Sequence, residues 1–177
     1  EGNYCDGSGG GVYVASVGTV SNSVFRANHA AAGGAVYADY SNGSSLLITQ
    51  SVFERNQAGS GGAVRCLTDL TVSNCLLRKN RATSDGGGIA VSVRGFIMQG
   101  SVLWENSAGQ DGGGVACYSA GAYLQHCTLL ENTAAQMGGA VYRKTGSLCS
   151  VENAILWNNV AGAGSQLALD GLPGYPV

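Results

Sequence analysis

Apolar residues recur along the chain at a fixed distance from an asparagine. In six copies a Phe or Leu is followed three residues later by Asn, and an alanine stands two positions beyond each Asn. Most copies continue through a loop to a glycine pair that opens a short apolar run, as in Gly61-Gly62-Ala63-Val64. Self-similarity at a fixed period is the signature of a repeat architecture. The asparagines are Asn28, Asn56, Asn80, Asn106, Asn132 and Asn159, and successive members are 28, 24, 26, 26 and 27 residues apart.

Within each repeat, apolar and polar residues alternate with period two, which predicts short strands. The unit is too short for a propeller blade, and its alternation disfavours leucine-rich and helical repeats. The strands of such a unit can pair in parallel with their copies in the repeats above and below, about 4.8 Å away. We therefore predict an all-β fold, a right-handed single-stranded parallel β-helix (solenoid) of about six to seven rungs.

Parallel stacking would place equivalent residues of successive rungs in columns, and the columns predicted to face the core carry no charge. Three are apolar and one holds small residues. They are Val36, Val64, Ile89, Val115 and Val141; Val20, Ile48, Val72, Met98, Leu124 and Val151; Phe25, Phe53, Leu77, Leu103, Leu129 and Leu156; and the small Ser23, Ser51, Cys75, Ser101, Cys127 and Ala154.

The recurring glycines and asparagines favour a structural interpretation over a functional one. A phosphate-binding loop needs one glycine-rich site, whereas this chain has six, and glycine supplies the positive φ that a chain needs to re-enter a strand. Stacked asparagine amides at a bend can hydrogen-bond along the stack and cap the turn backbone. We expect the six asparagines to form a structural ladder.

One outward column changes character along the chain. Arg26, Glu54 and Arg78 alternate in sign, so that vertical neighbours attract. The later rungs replace them with apolar residues, which would form a binding stripe or lie buried under a terminal segment such as 172–177. A second, weaker outward aromatic column contains Tyr13 and Tyr37. The candidate binding residues are Trp104, Leu130, Trp157, Tyr13 and Tyr37.

Asp85 and Asp111 are the sharpest catalytic candidates. Both stand directly before a triple glycine and are predicted to stack about 5 Å apart. Two such carboxylates could hold a cation or act as an acid and nucleophile pair. Aspartate is also a common turn residue, and other repeats carry Ser, Ala or Met there. We favour the turn interpretation and expect no catalytic residues, no metal site and no cofactor.

Composition narrows the possible partners. The 29 glycines and the low charged fraction of 11% do not describe a disordered chain, which would carry more charge. A net charge of −2 gives no electrostatic reason to expect nucleic acid or acidic lipid. No run of about twenty apolar residues is present, so we expect no membrane insertion by this segment.

Six cysteines and one sequon bear on the compartment. Bridges within a column would have to cross two rungs, which is too far. Pairing within a rung, Cys66 with Cys75 or Cys117 with Cys127, is one alternative, and small buried thiols are the other.

Asn42 begins the sequence Asn-Gly-Ser, where glycosylation is possible and a tight turn is the simpler explanation.

The FxxN motif paired with GGA and an aliphatic residue resembles the polymorphic outer membrane protein repeats. The resemblance covers nearly the whole chain, with six copies in register. In that family such repeats build the β-helical passenger of autotransporter-like bacterial surface proteins, many of which are adhesins. Similar repeats also occur in large secreted proteins of unknown role.

We accordingly expect an extracellular or cell-surface module, not an enzyme, that presents a rigid surface for adhesion or assembly. Its expected partners are other protein chains or surface glycans, with end-to-end self-association as a further possibility. One alternative is a carbohydrate-active enzyme, similar to a polysaccharide lyase or glycosidase, and another is a structural spacer or filament subunit. We expect residues 1–177 to form a single solenoid, a fragment or repeat unit of a larger protein or assembly.

Overall fold

A computed structural model of the chain describes residues 1–40, 43–92, 95–118, 121–144 and 148–170. Every regular element in these ranges is a strand, and they contain no helix with the length and hydropathy needed to cross a membrane. The strands form four parallel sheets, in which each strand pairs with its counterparts in the neighbouring repeats. The chain therefore coils as a β-solenoid of about six turns, which confirms the predicted fold class.

Each turn of the solenoid passes through the sheets in a fixed order. The first sheet contains Val12–Val14, Val36–Ala38, Val64–Cys66, Ile89–Val91, Val115–Cys117, Val141–Arg143 and Leu167–Leu169. The second contains Val17–Ser21, Ser45–Thr49, Asp69–Ser73, Gly95–Gln99, Gly121–Gln125 and Cys149–Glu152.

The two remaining sheets complete each turn. The third contains Val24–Arg26, Val52–Glu54, Leu76–Arg78, Val102–Trp104, Thr128–Leu130 and Ile155–Trp157. The fourth, with strands of two residues, contains Gln57–Ala58, Arg81–Ala82, Ser107–Ala108 and Thr133–Ala134.

The strand register stacks the predicted apolar columns in the core. Val36 pairs with Val64, and Phe25 pairs with Phe53, whose ring lies parallel to that of Phe25 with the centroids 5.0 Å apart. Leu77 and most other column members are fully buried. Burying one such side chain contributes about 1.5–3 kcal/mol. The core is thus a continuous apolar stack enclosed by four sheets.

The six asparagines form a hydrogen-bonded ladder at the bend after the third sheet. The Nδ2 of Asn80 donates to Oδ1 of Asn106 at 2.9 Å and to the carbonyl of Phe53 at 3.0 Å. Its Oδ1 accepts from the backbone N–H of Asn56 at 3.0 Å and from Nδ2 of Asn56 at 2.9 Å. All six side chains are buried. Each amide therefore satisfies backbone groups of its neighbours that the bend would otherwise leave unpaired.

The glycine pair allows successive turns to approach each other closely. Gly61 has a φ of +64°, a left-handed conformation that favours glycine. A Cβ added to Gly62 would lie 2.2 Å from the carbonyl oxygen of Gly87 in the next turn. No larger residue fits that contact without moving backbone. These glycines are structural, as their sixfold recurrence suggests.

All six cysteines are free thiols, so the within-rung bridges considered above are not formed. Cys75 Sγ donates to the carbonyl of Ser73 at 3.2 Å, and Cys127 Sγ to that of Gln125 at 3.2 Å. Burial raises the pKa of the Cys66 thiol to about 11. Cys66, Cys75, Cys117 and Cys127 thus act as small buried groups in the core.

Removing one ladder amide should destabilise the solenoid strongly. In Asn80→Ala, two donors of Asn56, the carbonyl of Phe53 and Oδ1 of Asn106 each lose a buried partner. We expect a loss of roughly 2–4 kcal/mol in the free energy of unfolding, measured by urea denaturation. The control Gln57→Ala, at an exposed position directly after the ladder residue Asn56, should change it by less than about 0.5 kcal/mol. Equal losses in both variants would contradict the ladder's role.

Candidate functional site

The outer face of the third sheet carries two adjoining columns of side chains. Each strand there has three residues, of which the middle one faces the core and the outer two face away from it. We call these two columns together the strip. The first column is Val24, Val52, Leu76, Val102, Thr128 and Ile155, and the second is Arg26, Glu54, Arg78, Trp104, Leu130 and Trp157.

The first of these columns was missed by the sequence reasoning. Its members precede the buried Phe and Leu column by one residue, and five of the six are aliphatic. Val24 is 59% exposed and Ile155 is 61% exposed, while the members between them are half-buried against their neighbours in the column. The period-two alternation that located the core could also have identified this outward aliphatic column.

The two tryptophans of the strip differ in their surroundings. Trp157 is 70% exposed, as an outward aromatic column requires. Trp104 is half-buried: its Nε1 donates to Oε2 of Glu131 at 2.9 Å, and Lys79 Nζ lies 5.6 Å from its ring centroid. The alternative that residues 172–177 cover the tryptophans falls outside the described residues. The second column of the strip is therefore packed at Trp104 and most exposed at Trp157.

The other end of the strip is organised around one buried carboxylate. Glu54 is 4% exposed, and its oxygens lie 2.9 Å from Arg26 Nε, 2.9 Å from Arg55 Nη1 and 3.2 Å from Arg78 Nη2. The hydrogen bond from Arg26, with the charges of Arg78 and Arg55, lowers the pKa of Glu54. The alternating column predicted Arg26 and Arg78 as partners, whereas Arg55, from the neighbouring column, was not foreseen.

Asp85 and Asp111 do stack, and each accepts a hydrogen bond from the backbone of the following turn. Asp85 Oδ1 accepts from the N–H of Asp111 at 3.1 Å, and Asp111 Oδ1 accepts from the N–H of Met137 at 3.0 Å. Burial, with a contribution from the charge of Asp85, raises the pKa of Asp111. Across the described residues, no group of three or more His, Cys, Asp or Glu side chains could hold a metal ion. The arrangement is that of backbone caps.

The two tyrosines proposed for binding lie on another face. Tyr13 and Tyr37 stack on the outside of the first sheet, with ring centroids 5.5 Å apart, and the hydroxyl of Tyr13 donates to Asp39. Tyr142, farther along this column, is buried and donates to Asp170 at 3.3 Å. The structure therefore does not bring the tyrosines together with the strip. Asn42, the candidate glycosylation site, lies outside the described residues.

Comparison with known proteins agrees with this geometry at the level of the fold. The family described as "right handed beta helix region" matches residues 1–134, which is more than half of the chain. No curated protein and no solved structure matches the chain. The match supports the handedness of the coil and leaves the finer family resemblance as a prediction.

Replacing the carboxylate of Glu54 should expose the repulsion among its arginines. We expect Glu54→Gln to lower the melting temperature at pH 7, monitored by circular dichroism. Because the folded-state pKa is lowered, the carboxylate's stabilisation is fully present above its unfolded value of about 4.3 and is lost as pH falls through the folded value. The two proteins should thus converge only as the pH falls below the lowered folded-state pKa of Glu54. The control Glu105→Gln, whose carboxylate forms a half-exposed ion pair with Lys79, should change little. A Glu54→Gln protein as stable as the wild type at pH 7 would refute the cluster's role.

Proposed function

The chain belongs to the right-handed β-helix family, and from that premise we propose that it is a non-catalytic display module. Its rigid solenoid would use the strip to bind another protein. We further propose that this module works at the cell surface as an adhesive or structural element. The surface location rests on the resemblance of its FxxN and GGA motifs to the polymorphic outer membrane protein repeats.

The observation that carries the proposal is the contiguous apolar area of the strip. Its first column is aliphatic in five of six turns, and its second column adds Trp104, Leu130 and Trp157. At about 4.8 Å per turn, five intervals extend over about 24 Å. Exposed apolar area of this extent commonly marks an interaction site. An aliphatic surface with few hydroxyl or amide groups suits a protein partner better than a glycan.

The underlying scaffold suits such a role because it resists deformation. The ladder amides and the paired strands fix each turn of the third sheet relative to its neighbours. A partner can therefore bind the strip without the loss of conformational entropy that an unstructured site would incur. This rigidity is what a module for adhesion needs, and it would serve a spacer equally well.

Catalysis is less well supported than binding. One oxygen of Asp85 and one of Asp111 hold backbone N–H groups of the next turn. Ser84 Oγ also donates to the second oxygen of Asp85. An acid and nucleophile pair needs two carboxyl groups that face one substrate bond. These carboxylates instead cap successive turns of the same column, so we favour a role without chemistry.

The proposal can be tested by removing apolar groups from the strip. We expect the wild-type chain to bind a protein in a panel of immobilised extracellular-matrix proteins and glycans, measured by surface plasmon resonance. The double variant Ile155→Ser/Trp157→Ala should lose at least about tenfold in affinity, since it removes two anchoring side chains. Ile97→Ser, on the outer face of the second sheet, is the matched control because Ile97 is 41% exposed and lies outside the strip.

Several results would count against this function. If Ile97→Ser weakens binding as much as the strip variant does, the strip is not the binding site. Binding to glycans alone would favour a carbohydrate-directed module. Depolymerisation of a polysaccharide by the wild-type chain would favour the enzyme alternative. Absence of any binding on the panel would favour the spacer.

A further inference from the structure

The charged residues that border the strip are separated by sign along the solenoid. A third column follows the strip at the bend, where every member has a positive φ between 52° and 56°, so these side chains occupy equivalent positions. Its basic members, Arg55 and Lys79, belong to the second and third turns, and its acidic members, Glu105 and Glu131, belong to the fourth and fifth. The column comprises Ala27, Arg55, Lys79, Glu105, Glu131 and Asn158.

The strip itself reinforces this separation. Its first three turns contribute Arg26 and Arg78 around the single carboxylate of Glu54. Its last three turns contribute Trp104, Leu130 and Trp157, with no charge. The surface therefore has a basic half, in turns one to three, and a half that is acidic and aromatic, in turns four to six.

From this pattern we propose that the strip binds the strip of a second copy of the chain, with the two solenoids antiparallel about a twofold axis. This inference rests on the proposed function, because it names the partner of the same surface. A twofold axis that lies between the two faces and perpendicular to the solenoids places turn one against turn six, turn two against five and turn three against four. Because this axis keeps the direction of the strands, each column faces its own counterpart, and the interface is isologous.

The pairing that results brings opposite charges together in the third column and apolar residues together in the first. In the second column Glu54 faces Leu130 of the second copy, and its charge stays neutralised by the arginines of its own chain. Arg55 faces Glu131 of the second copy. The Lys79–Glu105 ion pair of one chain faces the same pair of the other in reversed order, so that each charge also meets an opposite one across the interface. In the second column of the strip, Arg78 faces Trp104 of the second copy and Arg26 faces its Trp157, which permits cation–π contacts. In the first column, aliphatic residues of one copy face aliphatic residues or Thr128 of the other. A parallel twofold arrangement would instead oppose each residue of the strip's second column to its own copy, with Arg26 against Arg26 and Arg78 against Arg78, so the charges favour the antiparallel one.

The size of the surface sets the expected strength of the dimer. Three columns over six turns span about 24 Å by about 15 Å, or roughly 350 Å² on each copy. Two copies would bury about 700 Å², which is below the range of stable interfaces. We therefore expect a weak dimer that forms at high protein concentration and weakens as salt screens its charges. By contrast, the outer face of the second sheet, with Leu47, Ile97 and Tyr123, has no comparable charge pattern to specify an occupant.

A charge exchange across the proposed axis gives a sharp test. Sedimentation equilibrium of the full chain at low ionic strength should show a monomer–dimer equilibrium, and Arg55→Glu or Glu131→Arg alone should weaken it at least about tenfold. The double variant Arg55→Glu/Glu131→Arg should restore dimerisation. Within one chain these residues lie three turns apart, in turns two and five, so such a rescue requires a second copy. Circular dichroism and the melting temperature check that each variant is folded.

The outcomes separate this inference from the proposed function. A wild-type chain that stays monomeric at low ionic strength, or a folded double variant that is not rescued, overturns the antiparallel pairing. If the strip variant Ile155→Ser/Trp157→Ala nevertheless loses affinity for a matrix protein, the proposed function stands without self-association. If charge exchange rescues the dimer but the strip variant binds matrix proteins as tightly as the wild type, self-association stands and the proposed binding of another protein fails.

Discussion

The backbone of each turn of this solenoid finds most of its hydrogen-bond partners in the turns directly beside it. At the bend after the third sheet the strand hydrogen bonds are interrupted, and a buried backbone group left unpaired there would cost about 1–3 kcal/mol. The asparagine ladder meets this demand, since each carboxamide serves the turn before it and the turn after it. The repeat therefore keeps this residue in all six copies and tolerates change elsewhere.

Variation in repeat length is absorbed away from the ladder. The first two asparagines are 28 residues apart and the next two are 24 apart, yet both pairs make the same amide contacts. Six residues separate Ala38 from Ser45, whereas two separate Cys66 from Asp69. The difference lies in the connection between the first and second sheets. Because register is preserved, the outward columns of the third sheet stay continuous, and the strip exists as one surface.

Much of this arrangement could be predicted from sequence because parallel stacking converts a repeat directly into columns. The core columns, the ladder and the change from Arg26 to Trp157 all follow from counting residues. Counting does not show where a long side chain bends once it leaves its own column. That is why the contact of Arg55 with Glu54 and the hydrogen bond from Trp104 to Glu131 were not foreseen. The backbone-capping role of Asp85 was equally hidden, since it depends on which carboxylate oxygen meets the next N–H.

The most direct test of the account is hydrogen exchange at the side-chain amides of asparagine, followed by NMR. If the ladder holds the turns together, the Nδ2 protons of its buried members, such as Asn80 and Asn106, should exchange at least about a hundredfold more slowly than those of the exposed Asn22 and Asn74. Exchange at equal rates in the two groups would show that the amides are not hydrogen-bonded along the stack, and the account of the fold would fail.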